Sequence, residues 1–127
     1  PATGAVIFSA PAPPTDFDNL AADAFNVYGV NVNSGRLAIY NIAANTYSTP
    51  IDIEDGVRDL TYKNGHLYLL AYNTIYKFEI ASLSIVKTYR FNEVAGCTGL
   101  TTDGDAFYAR VSDGIYAPGY FAKFYLD

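Results

Sequence analysis

Cysteine and histidine occur once each, as Cys97 and His66, and tryptophan and methionine are absent from the 127 residues. A single cysteine excludes an internal disulfide and any zinc site built from several cysteines. Basic residues are also few, since 8 Lys and Arg against 13 Asp and Glu leave a net charge of −5. This balance argues against nucleic acid and against an anionic membrane surface as partners. No apolar run approaches the roughly 18 residues of a membrane span, so we expect no membrane insertion.

Half of the residues are apolar, which predicts a packed core in a chain of one domain's length. The segment that follows Pro1 has no basic region of the kind found in a retained signal peptide. Removal of an initiator methionine would leave such an end, so we expect a protein that is not exported by a classical signal. A fragment cut from a longer polypeptide would also fit.

A period of 40 residues runs through the chain. Leucines recur at positions 20, 60 and 100, and tyrosines at 28, 68 and 108. Each copy of the repeat predicts a strand, a polar turn and a second strand that begins with an apolar residue and tyrosine. The three copies are NLAADAFNVY, DLTYKNGHLY and GLTTDGDAFY. Asn64-Gly65 and Asp103-Gly104 are strong hairpin turns, whereas Asp23-Ala24 departs from this turn pattern.

Two further elements complete the repeat. LAIYNI (residues 37–42), IYKFEI (75–80) and FAKFYL (121–126) alternate as half-buried strands do. Residues 46–53 and 83–91 supply a fourth strand in two copies. Val6 lies 14 residues before Leu20, as Thr46 does before Leu60, so residues 4–10 keep the register of a fourth strand. The sequence thus predicts an N-terminal strand (1–10), a Pro-rich connector (11–17) and a single β domain (18–127) of three repeats.

Four strands in about forty residues is the size of a β-propeller blade. The lines VRDLTYKNGHLYLLAYNTIYKFEIASLSIVKTYRF and GCTGLTTDGDAFYARVS resemble blades of the broad WD40/YVTN-like propeller class, although no GH…WD signature is present. The resemblance implies an all-β fold with three four-stranded antiparallel blades, the last one completed by the N-terminal strand. The alternative fold is an antiparallel β-sandwich with three similar hairpins.

A ring of about 4–8 blades is needed to close a propeller, so three blades should not close alone. Two chains placed head to tail would give 2 × 3 = 6 blades. Copies of the chain are therefore the expected partners, through β-strand addition of one copy's N-terminal strand beside another copy's last strand. An open series of copies in a filament is the competing arrangement. The residues of this predicted assembly strand are Gly4, Ala5, Val6, Ile7 and Phe8, with Phe121, Phe124 and Leu126 on the receiving side.

Catalytic chemistry has little support in the sequence. His66 is best read as a turn or surface residue, and Cys97 as a buried structural thiol. The acidic run at residues 52–55 is a weak cation site at best and more readily a solvated turn. Asp18, Asp59 and Asp103 could face a propeller channel, but no two adjacent repeats share an acid at one position. We therefore expect no enzyme activity, no metal and no cofactor.

A six-residue insertion within residues 113–119 enlarges one loop and gives it apolar residues. Apolar side chains on a loop suggest either recognition of a partner or glycan, or packing at a blade side or subunit seam. The candidate recognition residues are Ile115, Tyr116, Pro118 and Tyr120.

The opening PATGAVIFSA is similar to the short GAxxFS-type openings of tailed-bacteriophage structural proteins. That resemblance implies a non-enzymatic structural protein in a phage virion (a tail, fibre or decoration component), with other virion proteins or a host surface glycan as further partners. The alternatives are a glycan-binding propeller lectin and an extracellular surface fibre subunit outside any virion.

Overall fold

A computed structural model describes residues 17–53, 56–91, 96–112 and 119–127, which form twelve strands and no helix. Val, Ile, Tyr, Phe and Thr dominate these strands, as the pleated surface favours. No helix capable of crossing a membrane was found among the described residues. The predicted N-terminal strand and most of the inserted loop lie outside the described residues, including Gly4, Ala5, Val6, Ile7, Phe8, Ile115, Tyr116 and Pro118.

The strands form three antiparallel sheets that follow one another along the chain. The first sheet contains β1 (Asn19–Ala22), β2 (Asn26–Asn31), β3 (Arg36–Asn41), β4 (Thr46–Tyr47) and β5 (Ile51–Asp52). The second contains β6 (Val57–Lys63), β7 (His66–Ala71), β8 (Thr74–Glu79) and β9 (Ser84–Arg90). The third contains β10 (Gly96–Thr102), β11 (Phe107–Ser112) and β12 (Tyr120–Phe124), and its described part has three strands.

The predicted fourth strand of the first repeat is interrupted. Both β4 and β5 pair with the same edge of β3, through Tyr40 with Tyr47 and Leu37 with Ile51. Pro50 lies between them and cannot donate to a strand ladder. Ser48 bridges the gap, because its backbone N–H donates to the Ile39 carbonyl at 2.8 Å and its Oγ accepts from the Ile39 N–H at 3.0 Å.

The turn between β1 and β2 does not depart from the repeat in the way the sequence predicted. Asp23 Oδ1 accepts the N–H groups of Phe25 and Asn26, and Asp23 Oδ2 accepts the Tyr28 hydroxyl at 2.6 Å. Asp103 makes the same three bonds in the third sheet, with the Tyr108 hydroxyl at 2.8 Å.

The turn that differs is the middle one. Asn64 and Gly65 have φ of 49° and 79°, the positive values that a type I′ turn requires at both central positions. Lys63 stands where the other repeats have aspartate. Its Nζ donates to the Asp105 carbonyl of the third sheet at 2.8 Å and lies 5.0 Å from the centre of the Phe107 ring.

Two hydrophobic cores join the three sheets. One core packs Tyr28, Val30 and Leu37 of the first sheet against the second sheet, where Leu67 and Leu69 belong to it. The other packs the second sheet against the third and is composed of Tyr68, Leu70, Ile75, Cys97, Leu100, Phe107, Ala109 and Val111. Because neighbouring residues of β7 point to opposite faces, the middle sheet is covered on both faces. A sandwich of two sheets, the alternative expectation, does not have this arrangement.

Candidate functional site

The third sheet repeats, on its outward face, the positions that form the two cores. Val30 pairs with Leu37 across β2 and β3, and Leu70 pairs with Ile75 across β7 and β8. All four of these side chains are completely buried against the next sheet. The corresponding pair in the third sheet is Arg110 with Phe121 across β11 and β12.

No sheet of the described chain covers this third pair. Phe121 is 84% exposed, whereas its counterparts Leu37 and Ile75 are 0% exposed. Tyr108, the counterpart of the buried Tyr28 and Tyr68, lies on the same face, and Lys123 Nζ lies 5.9 Å from the centre of its ring. We call the surface formed by Tyr108, Arg110 and Phe121 the open face.

A cavity of about 360 Å³ occupies the open face, and Thr98, Gly99, Thr101, Tyr108, Arg110 and Phe121 are among the residues that line it. Its lining combines aromatic rings, one guanidinium, the hydroxyls of Thr98, Thr101 and Tyr108, and the carboxylate of Asp59.

Polar side chains connect the innermost strands of successive sheets at one repeat position. The Asn19 side chain donates to the Arg58 carbonyl of the second sheet. Asp59, 40 residues later, accepts the Leu100 N–H of the third sheet at 2.7 Å. The third copy of this position is Gly99, which has φ of +73° and no heavy atom within 4 Å of a Cβ built there. The third sheet thus offers space where the others offer a polar side chain.

The first sheet presents a different surface on its side away from the second sheet. Phe17 lies directly over Gly29, so that a Cβ added at Gly29 would overlap the Phe17 ring. The same ring lies 6.4 Å from the ring of Tyr47, which in turn lies 4.9 Å from Tyr40. The aromatic group of Phe17, Tyr47 and Tyr40 thus lies on the face of the first sheet that is opposite to the second sheet.

Solved structures with a similar arrangement of strands include Kuenenia stuttgartiensis hydrazine synthase, with a TM-score of 0.71, 13% identity, and coverage of 86% of this chain and 34% of that one. The Neurospora crassa Pan2 WD40 domain has a TM-score of 0.65 and 10% identity over 84% of this chain and 34% of that one. The Myceliophteria thermophila Cps50 (Swd1) beta-propeller domain has a TM-score of 0.62 and 11% identity over 87% of this chain and 39% of that one.

The fold is a β-propeller fold. We refer to each of the three described sheets as a blade, and the chain spans 34–39% of the length of these three structures. No protein-family model matches the chain, and no curated protein matches its sequence. At identities of 10–13%, the structural similarity shows the fold alone.

The receiving residues of the predicted assembly strand divide between the two faces of the third blade. Phe124 and Leu126 pack against the core shared with the second blade, where Phe124 lies 5.7 Å from the ring of Phe91. Phe121 points the other way, onto the open face. Tyr120, the one described residue of the predicted recognition loop, is 45% exposed and begins β12. The outer edge of β12 pairs with no strand among the described residues.

The carboxylates considered for a channel site have structural partners. Asp18 accepts the Val32 N–H at 2.7 Å, Asp59 connects two blades, and Asp103 closes a turn. Hydrogen bonds from the N–H groups of Asp105 and Ala106, together with that from Tyr108, lower the pKa of Asp103 to about 2. Within the described ranges, no three histidine, cysteine, aspartate or glutamate residues group as a metal site would require.

Cys97 and His66 occupy the places expected from the sequence. Cys97 is buried between the second and third blades, and burial raises the pKa of its thiol. His66 begins β7, with Nδ1 3.0 Å from the Asn64 carbonyl and Nε2 3.9 Å from Glu79 Oε1.

Two residues of the third blade were not singled out from the sequence, Arg110 on the open face and Asp127 at the contact with β9. Arg110 carries a readable signal, because a charged residue stands where the other repeats have Val30 and Leu70. The carboxylate of Asp127 carries no such signal. It lies 2.5 Å from Lys87 Nζ and 2.9 Å from the Tyr89 hydroxyl, and so fastens the end of the third blade to β9.

Proposed function

We propose that this chain is a non-enzymatic structural protein that assembles with copies of itself by covering the open face. The observation that carries the proposal is the exposure of Phe121, at 84%, in a repeat position where Leu37 and Ile75 are fully buried by the next blade. A further blade placed on Phe121 would remove this ring from water, which contributes about 1.5–3 kcal/mol for a phenylalanine.

Strand addition is the second part of the proposal. In the first two blades the third strand is paired on both edges, whereas β12 is paired with β11 alone among the described residues. An exposed strand edge is a template for pairing with another chain. Residues 4–10 have the register of a fourth strand, and we propose that one copy donates them to the β12 edge of another copy.

The test is the oligomeric state of the purified chain, measured by sedimentation velocity over a range of concentrations. The wild-type chain should self-associate, and Phe121→Asp should raise the dissociation constant at least tenfold, because it replaces the ring that the contact would bury with a carboxylate. Phe25→Asp is the matched control, since Phe25 is 74% exposed and lies in the β1–β2 turn. A wild-type chain that stays monomeric at high micromolar concentration would refute the proposal.

We propose a phage virion as the setting, with an extracellular surface fibre as the alternative. The support is the similarity of PATGAVIFSA to openings of phage structural proteins and the fit of an assembly role to a particle made of repeated subunits. Mass spectrometry of purified particles would test the setting: the chain should copurify with coat protein and nucleic acid in a virion and without them in a fibre.

A glycan-binding lectin is the second candidate function. The observation that favours it is the side-chain set of the cavity, because aromatic rings can stack on a sugar while hydroxyls and a guanidinium bond to it. The lining residues that would do this are Phe121, Tyr108, Arg110, Thr98 and Thr101. Binding on a glycan array that is lost in Phe121→Ala, in a chain that stays monomeric, would favour this function over assembly.

A further inference from the structure

At or near the start of the first strand of each blade lies a residue on the side of the preceding blade. These residues are Phe17, Val57 and Cys97, which are 40 positions apart. Val57 is 0% exposed and belongs to the core that contains Tyr28, Val30 and Leu37 of the first blade. Cys97 belongs in the same way to the core that contains Tyr68, Leu70 and Ile75 of the second blade. This repeat position therefore fills the contact with the blade before it.

Phe17 is the member of this series that has no preceding blade within the described chain. The residues that would receive it, by the same repeat, are Tyr108, Arg110 and Phe121. These three residues line the cavity of the open face. Within the described ranges, Phe17 at one end has no blade to receive it, and the surface at the other end has no residue packed into it.

The cavity of the open face suits a phenyl ring both in the space it offers and in the cation it contains. Phenylalanine is larger than the valine or cysteine that fills the internal contacts, and the third blade has Gly99 where the others have Asn19 and Asp59. That position contributes no side chain to the cavity. Arg110 supplies a cation where the internal contacts have Val30 and Leu70, and a guanidinium over a phenyl ring is attractive by about 0.5–2 kcal/mol.

We propose that the cavity of the open face is the receptor for Phe17 of a second copy of the chain. This inference rests on the proposed self-assembly and adds its register: the first blade of one copy follows the third blade of the other. Each seam then reproduces the order of contacts found between the blades within one chain.

The test uses two single variants and their mixture, followed by sedimentation velocity and circular dichroism. Phe17→Lys should raise the dissociation constant at least tenfold, because the introduced ammonium group faces Arg110. Arg110→Glu should do the same, because it buries a carboxylate against the Phe17 ring. Mixed in equal amounts, the two variants should form a heterodimer with a dissociation constant near the wild-type value, since one seam then has opposite charges and the other is unchanged.

Phe25→Lys is the matched control and should assemble as the wild type does, because Phe25 is exposed in a turn. Wild-type assembly by Phe17→Lys, or a mixture that fails to assemble while the wild type does, would overturn the register and leave the proposed self-assembly standing. A monomeric wild type would overturn both. Circular dichroism of each variant alone separates loss of assembly from loss of folding, and rescue in the mixture requires folded chains.

Discussion

Replacement of Gly29 by alanine should destabilise the protein, although glycine in a strand is ordinarily a poor choice. Alanine in a strand interior is favoured over glycine by about 0.5–1 kcal/mol. At this position, however, the added Cβ would overlap the ring of Phe17, and inserting a methyl group into a filled site costs about 1–3 kcal/mol. The two effects oppose each other, and the overlap is the larger. We expect a net loss of roughly 1 kcal/mol.

The same structure predicts how the loss can be reversed. In a Phe17→Ala background the ring is gone, so Gly29→Ala should stabilise the protein by about 0.5–1 kcal/mol. The double variant Phe17→Val with Gly29→Leu recreates the pair Val57 and Leu69 of the second blade. Its loss of unfolding free energy should be smaller than the sum of the losses in the two single variants by roughly 0.5–3 kcal/mol, the usual range for residues in contact.

Urea unfolding at a protein concentration low enough for every variant to be monomeric measures these changes, since variants at Phe17 that weaken assembly would otherwise alter the apparent stability. A change in the midpoint with an unchanged slope reports stability alone. Two results would refute the reasoning: a wild-type background in which Gly29→Ala is neutral or stabilising, or a double variant that is merely additive.

Three further outcomes follow from the polar groups. Asp59→Ala should cost about 1–3 kcal/mol in urea unfolding because it leaves the Leu100 N–H without its acceptor, and Asp59→Asn, which keeps an acceptor, should cost less. Because the folded pKa of Asp103 is lowered to about 2, its contribution is complete above the unfolded pKa of about 3.9 and is lost as the pH falls towards 2. Between about pH 3.9 and pH 2, Asp103→Ser should therefore lose less stability than the wild type does. Acid unfolding followed by circular dichroism measures this difference. Because burial raises the pKa of Cys97, a thiol reagent should label it slowly in the native protein and rapidly in 8 M urea; equally rapid labelling in both would contradict its burial.

The hairpins of the repeat were predictable because turn chemistry and strand alternation are local. Asn64-Gly65 has the dipeptide of a type I′ turn and adopts it. Asp23 was missed because its turn depends on a hydroxyl five residues away at Tyr28, which no dipeptide pattern contains. The fourth strand of the first blade was predicted as continuous, whereas it is interrupted between β4 and β5, where Pro50 lies.

The candidate site was only partly predictable. Three blades that should not close alone indicated an unfinished end, and Phe121 was predicted there as part of the receiving strand edge rather than of an open face. The connection between blades through Asn19 and Asp59 was not visible, because the repeat position holds asparagine, aspartate and glycine in its three copies. Asn19 and Asp59 share a position in the fold and a hydrogen bond to the next blade, which a pattern of hydrophobic residues does not indicate.

The two kinds of β-turn restrict how pieces of this chain can be exchanged. An aspartate turn moved into the middle blade would remove Lys63 and with it the bond to the Asp105 carbonyl in the blade that follows. An Asn-Gly turn moved into the third blade would take away the carboxylate that accepts the Tyr108 hydroxyl. Repeats of similar length are thus not interchangeable, because each turn makes its own hydrogen bonds. A chimera built by exchanging these turns would lose a hydrogen bond at each exchange.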